Sequence, residues 1–422
     1  MTSVPPSPFG RMVPRRARSG VIEALNDTRV VLINGARQCG KSTLVVQVGN
    51  DRGGEWRTLD EAATREAARF DPTSFVHANN LLVIDEIQRD PDLLLSIKET
   101  VDSDPRPDRF LLTGSARVLG LKRLPDALPG RMETIELWPL SQGEIDALPD
   151  RFSDAVFEAG PDMRHQSTEH RSGYVERHVR GGFPDAVART RRRRSAFLDN
   201  YMSDLINRDV IQLSETQRGH EMRSLIRLVA ARSGQLLVPG TLAGLLRLPQ
   251  STVTRYLALL EEVFLIKRIP AWSRSPSARA VSTTKVAVVD SGIAANLLDQ
   301  DTRTLNRGGG ALGGLLEGFV AMEIARQLSW STTRAEMSHY RTKDGVEVDI
   351  VLENRRGQVV AIDVKASATM RGDDFRGIDH LAARLGEDLL VGIVLYMGER
   401  SLSFGPKKRA LPIASLWESG VQ

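Results

Sequence analysis

Only one cysteine, Cys39, occurs in the 422 residues. An intrachain disulfide is therefore excluded, and so is a zinc site built on several thiolates. One cysteine suits a reducing cytoplasm. Aromatic residues make up 5% of the chain, too few for a broad base-stacking surface. No apolar run approaches the ~18 residues of a membrane span, so no membrane partner is expected. The opening stretch MTSVPPSPFGRMVPRRARSG has prolines and arginines but no apolar segment; it reads as a loose arm, not a secretory signal. The seven histidines show no metal-ligand spacing. Lysine is scarce: it supplies nine of the 57 basic residues, so a lysine at a motif position is more telling. The net charge of +4 does not by itself argue for nucleic acid.

Hydrophobic residues reach 41% and charged residues 26%, enough for sizeable cores in two to four domains. The apolar runs at 30–33, 81–86 and 109–115 read as buried strands, with helical stretches such as 91–102 between them. That alternation indicates an α/β fold with a parallel sheet. The polar stretch 150–173, containing His165 and His170, reads as an insertion or flexible connector. The four arginines at 191–194 open a helical stretch and read as a solvated face. Three short helices follow in 220–270, then two strand-like segments. Glycines at 306–315 mark a hinge and the clearest domain boundary.

GARQCGKS, at 35–42, fits the phosphate-loop pattern G-x-x-x-x-G-K-[ST] between a predicted strand and a predicted helix. Gly35 and Gly40 permit a close backbone approach, so that the amides of Ala36, Arg37, Gln38, Cys39, Gly40, Lys41, Ser42 and Thr43 can converge on phosphate at a helix N-terminus. Lys41 would reach the β/γ-phosphates and the Ser42 hydroxyl would bind magnesium. LLVIDE ends in Asp85 and Glu86; Asp85 would hold the same ion and Glu86 would activate water. In LLTGSAR, Thr113 or Ser115 would lie beside the γ-phosphate. Arg131, in PGRM, is either a cation for the γ-phosphoryl group or a surface arginine. ATP and Mg²⁺ are the implied cofactors.

Residues 241–270 read as helix-turn-helix. Leu242, Leu245 and Leu246 would pack the first helix, Ser251 would cap the second, and Val253, Leu257 and Leu260 would face inward. Thr252, Thr254 and Arg255 would face outward, where base edges are contacted. The module either reads DNA or packs only against protein.

In GVEVDIVLENRRGQVVAIDVKAS, Asp363 and Lys365 share one strand face, and Asp349 can lie beside Asp363 across a hairpin. With Glu317 from the preceding helix, these carboxylates would bind a metal, and Lys365 would orient the attacking water. The competing reading is an ion pair on the wet face of a hairpin.

The ordered motifs GARQCGKSTL, LLVIDEIQRDPDLL, RFLLTGSAR, LPGR, WPLSQGEI, GGFPDA, YMSDLINRDV, KVAVVDSGIAANLL, EGFV, EVDIVLE and AIDVKAS resemble AAA-type ATPases of bacteria and archaea that carry a C-terminal domain of unknown function. The resemblance implies an arm at 1–20, an AAA-type ATPase domain at 21–149, a helical lid and connector at 150–215, a winged helix at 216–290 and a restriction-endonuclease-like α/β domain of PD-(D/E)XK type at 291–422. It also implies that Arg131 senses the γ-phosphate, at its own or a neighbour's site, which makes a homo-oligomer plausible. Two functions are carried forward. One is a magnesium-dependent ATPase coupled to a DNA-directed, nuclease-like half. The other is a nucleotide-switched regulator or scaffold whose nuclease-like domain is catalytically silent and binds protein.

Overall fold

The apolar runs form strands because β-branched and leucine residues fill a surface covered on both faces. A computed structural model describes residues 12–115, 128–210, 219–275, 282–307 and 311–420. The chain divides into two compact units. One holds residues up to Leu140 together with Glu262–Phe264; the other holds Ser141–Glu261 and Leu265–Gln422. Among the described residues no helix is long and apolar enough to cross a membrane.

The N-terminal unit is built on five parallel strands: β1 (Val30–Asn34), β2 (Glu55–Thr58), β3 (Leu82–Asp85), β4 (Phe110–Gly114) and β5 (Met132–Glu136). Their order is β2-β3-β4-β1-β5. Every residue of β1, β3 and β4 is buried. Leu32, Ile84 and Leu112 pack there with Ile97 and Val101 from the helix Leu93–Ser103. The strand ending in Thr113 and Gly114 thus lies between the strand feeding the phosphate loop and the strand carrying Asp85.

The stretch expected as an arm at 1–20 overlaps a helix at its end. Residues 1–11 lie outside the described residues, and the helix Ala17–Asp27 begins inside the remainder. Its Ala17, Val21, Ala24 and Leu25 are buried at helical spacing, a stripe hidden in the sequence by the flanking arginines.

In the second unit the stretch 150–173 is ordered, contrary to the expected connector. Phe152–Ala159 is a helix with Phe152 and Val156 buried, and Gln166 bridges to Arg400. Its polarity is consumed internally. The Asp150 carboxylate accepts from the Ser141 hydroxyl (2.5 Å) and from Gln327 Nε2 (2.9 Å). Asp154 accepts from the Thr333 amide (3.0 Å) and the Ser331 hydroxyl (2.6 Å). His165 Nε2 lies 2.8 Å from a Glu418 carboxylate oxygen. Of the arginine run, Arg192 and Arg193 are exposed as expected, but Arg194 is buried and donates to the Ala186 carbonyl.

Three helices, Gly219–Ala230, Pro239–Leu246 and Gln250–Glu262, precede an antiparallel pair, β6 (Ile266–Ile269) and β7 (Lys285–Val288). Val253, Leu257 and Leu260 are buried, and Tyr256 joins them. Two details differ from expectation. Leu245 points outward, 58% exposed, because Leu242 and Ala243 already fill the inner face of a two-turn helix. Ser251 lies inside its helix, whose first amides, from Thr252 and Val253, donate to the Pro249 carbonyl.

The C-terminal sheet has six strands: β8 (Ala335–Arg341), β9 (Glu347–Asn354), β10 (Val359–Lys365), β11 (Leu389–Tyr396), β12 (Leu402–Ser403) and β13 (Lys408–Pro412). Their order is β12-β13-β11-β10-β9-β8. β9 and β10 form the expected antiparallel hairpin, with Ile362 opposite Ile350. The helix Arg376–Leu385 then carries the chain to β11, which runs parallel to β10. At the edge, Trp272 donates its amide to the His339 carbonyl at 2.6 Å, extending the sheet past β8.

Candidate functional site

The phosphate loop turns where a side chain could not fit. A Cβ on Gly35 would stand 2.1 Å from the Leu137 carbonyl oxygen, and Gly40 holds φ +101°, a left-handed conformation natural only to glycine. Residues 35–40 leave β1 and enter the helix Lys41–Asp51, so the helix N-terminus faces the loop. Cys39 is fully buried as a filler, its Sγ 3.3 Å from the Leu137 carbonyl oxygen. Lys41 is 4% exposed and folds back, donating to the carbonyls of Gly35 (3.0 Å) and Ala36 (2.9 Å).

Beside the loop, Asp85 collects two hydroxyl neighbours. The Ser42 hydroxyl lies 3.0 and 3.1 Å from its two carboxylate oxygens, and the Thr113 hydroxyl donates to it at 2.5 Å. Burial pushes the Asp85 carboxyl above its ordinary range, opposed by those hydroxyl bonds. Thr113 Oγ1 also accepts the Glu86 amide at 2.9 Å. Glu86 stands at φ +60°, which turns its side chain out of the strand line. Its carboxylate accepts from the Ser115 hydroxyl (3.1 Å) and from Gln88 Nε2, which also bonds Ser115 Oγ at 2.7 Å. Thr113 and Ser115 therefore divide the work: one braces Asp85, the other touches Glu86.

Two residues here escaped the sequence reading. Gln88 holds Glu86 to Ser115; a glutamine two positions after a strand-end carboxylate gives no pattern. Arg15 is 9% exposed and donates to the carbonyls of Cys39 and Trp138, each at 2.7 Å, clamping the back of the loop. It comes from the segment taken for an arm.

Arg131 is the residue the structure sets apart. Its carbonyl accepts the Val30 amide at 3.2 Å, so it sits where β1 begins, while the phosphate loop starts where β1 ends. A five-residue strand separates them by roughly 15 Å. Its guanidinium pairs with Asp102. Arg131 thus lies away from the phosphate loop of its own chain in this arrangement.

In the C-terminal unit the hairpin brings Asp349 and Asp363 together as expected. Asp349 donates its amide to Asp363 Oδ1 (3.0 Å), and Val364 donates its amide to Asp349 Oδ2 (3.0 Å). An unexpected residue joins them. Lys285, from β7 and 3% exposed, donates to Asp349 Oδ1 at 2.8 Å and stands 3.6 Å from Glu317 Oε2. Burial and the Asp349 charge push the Glu317 carboxyl up, and the same two causes push Asp363 up. Lys365 is half-buried, and its charge acts on both carboxyls. Among the described residues no three acidic, histidine or cysteine side chains form a group that could hold a metal ion. The carboxylates of Asp349 and Asp363 are instead engaged by backbone amides and by Lys285, so the expected trio of Glu317, Asp349 and Asp363 does not fit a divalent ion in this arrangement. Lys285 sat in TTKVAVVDSG, where it reads as the first residue of an ordinary strand.

The outward face of the helix Gln250–Glu262 presents Thr254 and Arg255, both exposed, with Thr252 half-buried.

Comparison with known proteins follows this division. Residues 27–146 match the family described as "AAA domain". Residues 171–304 and 312–416 match two domains of unknown function, DUF8612 and DUF4143. The first of these runs across the boundaries expected at 215 and 290, and the gap between the two, 305–311, overlaps the glycine-rich stretch 306–315. Uncharacterized proteins of Mycobacterium tuberculosis and Mycobacterium bovis are each 27% identical over 412 residues, 96% of this chain and 85% of theirs. An uncharacterized protein of Haemophilus influenzae is 23% identical over 223 residues, 52% of this chain and 51% of its own length. Among solved structures, a Walker-type ATPase of Pyrococcus abyssi is 14% identical with a TM-score of 0.41, covering 68% of this chain and 96% of that one. The parallel sheet and the loop geometry agree with the match of residues 27–146 to the AAA domain.

Proposed function

We propose that the N-terminal unit binds and hydrolyses ATP with magnesium, and that its nucleotide state is read by the C-terminal half. The observation that supports this best is the Ser42–Asp85–Thr113 cluster beside the phosphate loop, a hydroxyl and a carboxylate already in contact at 3.0 Å. That donor pair of a hydroxyl and a buried carboxylate suits a magnesium ion. Ser42 and Asp85 would hold the magnesium, which would supply positive charge against the phosphates.

The chain's own residues do the rest. Loop amides orient the phosphates at the helix N-terminus. Lys41 leaves two neutral carbonyls for the β/γ-phosphates, an exchange that gains a charge-assisted bond. Glu86, positioned by Ser115 and Gln88, accepts a proton from the attacking water. Arg131 serves a neighbouring copy's γ-phosphate, which makes the active form an oligomer. Lys41→Ala should lose nucleotide binding, and Glu86→Gln should bind ATP yet turn it over ~10²–10⁴-fold more slowly. Normal hydrolysis by both variants would overturn the assignment.

For the C-terminal half, three helices followed by the β6–β7 hairpin support a winged helix, with Thr254 and Arg255 available to a partner's surface. The helix Ala311–Leu328, the β8–β9–β10 meander and the crossover to parallel β11 support a nuclease-like core. The position of Lys285 favours the silent form of that core, a nucleotide-switched regulator or scaffold, over a metal-dependent nuclease. Incubation with single- and double-stranded DNA and RNA in Mg²⁺ or Mn²⁺ tests this reading: no cleavage is expected, and cleavage abolished by Lys365→Ala would restore the nuclease.

A further inference from the structure

The lysine at the acidic centre is held there by backbone, not by a flexible reach. β7 pairs with β6, placing Lys285 opposite Ile269. On its other side the Leu237 amide donates to the Thr284 carbonyl at 2.8 Å, and the Gly234 amide donates to the Val286 carbonyl at 2.7 Å. Gly234 in turn is pressed onto the helix Ala311–Leu328. With φ +85°, an added Cβ there would stand 2.6 Å from the Gly314 carbonyl oxygen and 2.8 Å from Glu317 Cβ. The strand that bears Lys285 and the helix that bears Glu317 are thus locked together by a glycine contact. The ammonium has one place to go, between Glu317 and Asp349.

A small divalent ion needs about six oxygens at ~2.1 Å with freedom to arrange them. Here Asp349 gives Oδ1 to Lys285 and Oδ2 to the Val364 amide, and Asp363 gives Oδ1 to the Asp349 amide. An ammonium 2.8 Å from Asp349 fills the space such an ion would use and repels it. The lysine is 3% exposed, so water cannot replace the carboxylates as its partner while β7 stays where it is.

We propose that Lys285 is the resident cation of this centre, that it keeps divalent metal out, and that removing its ammonium uncovers a divalent-cation site formed by Glu317, Asp349 and Asp363. This deepens the silent reading of the C-terminal core and is independent of the ATPase reading.

The test is Mn²⁺ binding followed by electron paramagnetic resonance on the full chain. Ser42→Ala and Asp85→Asn are present in every arm, and nucleotide is absent, so the phosphate-loop site is silenced and its own fate does not enter. The parent should show no Mn²⁺ whose binding depends on Asp349. Lys285→Met should gain one Mn²⁺ at least tenfold tighter than any parent site, and adding Asp349→Asn should abolish it. Lys285→Arg, which keeps the charge, should behave as the parent. Two results would overturn the proposal: an Asp349-dependent Mn²⁺ in the parent, or a folded Lys285→Met chain that gains none. Should Lys285→Met not fold, Lys285→Gln takes its place with the same expected gain, a folded Lys285→Gln chain that gains no Mn²⁺ overturns the proposal, and Asp349-dependent Mn²⁺ in the parent contradicts it as before.

Discussion

Both centres of this chain pair a buried lysine with carboxylates, yet the two lysines are spent differently. Lys41 is satisfied by the neutral carbonyls of Gly35 and Ala36. Lys285 is satisfied by the Asp349 carboxylate at 2.8 Å, with Glu317 Oε2 3.6 Å away. A carbonyl is a weak partner that a phosphate easily outbids, because an ammonium–phosphate bond is charge-assisted. A buried carboxylate is not, because separating the pair leaves two uncompensated charges. On the proposed reading, one centre opens toward an anion and the other is closed by its own cation.

The sharpest way to break this contrast is to unpair Lys285. Lys285→Met leaves the buried Asp349 and the half-buried Glu317 without their ammonium and should destabilise the chain by roughly 3–5 kcal/mol. The double variant Lys285→Met/Asp349→Asn should recover more than half of that loss in urea unfolding. Equal stability of Lys285→Met and the parent would mean the pair is not buried as described. A second experiment concerns Arg131, placed at the far end of β1. Arg131→Ala should slow turnover about tenfold or more, near 1.4 kcal/mol or above. Mixing it with inactive Glu86→Gln chains should raise activity above the sum of the two alone. Failure to complement would remove Arg131 from catalysis.

A smaller effect separates the second unit's other buried acids from its acidic centre. Burial, and next the nearby Glu323 charge, push Asp150 up to about 8, with Glu144 adding to it. A carboxyl with a raised folded pKa contributes stability that is full below its unfolded value near 3.9 and is lost as pH rises through about 8. Between pH 4 and 8 the parent should therefore lose stability, and Asp150→Asn should flatten that slope by at least ~1.4 kcal/mol. An unchanged slope would place the titration elsewhere. The least effect is expected on the solvent face of the Gln250–Glu262 helix. Arg255→Ala should change stability by less than ~0.5 kcal/mol. If the module reads DNA, the same change should weaken retention and lower the salt slope by about one; if it packs on protein, neither should move.

The N-terminal centre was legible because its chemistry is contiguous. Gly35 to Ser42 form one loop, Asp85 and Glu86 end one strand, and both motifs announce their secondary structure through apolar runs. What stayed hidden was supplied from a distance: Arg15 from 24 positions upstream of Cys39, and Gln88 by a turn at Glu86 that no pattern marks. In the C-terminal centre, alternation within β10 and the polar turn after β9 correctly paired Asp349 with Asp363. Lys285 lies 64 positions before Asp349, and only tertiary structure puts them together. The stretch 150–173 misled for the opposite reason. Its charges look like those of a solvated connector, but Asp150 and Asp154 are buried polar partners, and composition cannot tell a satisfied buried carboxylate from an exposed one.

The central claim is that the loop around Lys41 is built to receive a triphosphate. Calorimetric titration of the full chain with Mg²⁺ and a slowly hydrolysed ATP analogue tests it most directly. One equivalent should bind to the parent, and Lys41→Ala should weaken that binding at least ~100-fold, about 2.7 kcal/mol. A parent that takes up no nucleotide, or a Lys41→Ala chain that binds as the parent does, would contradict the account.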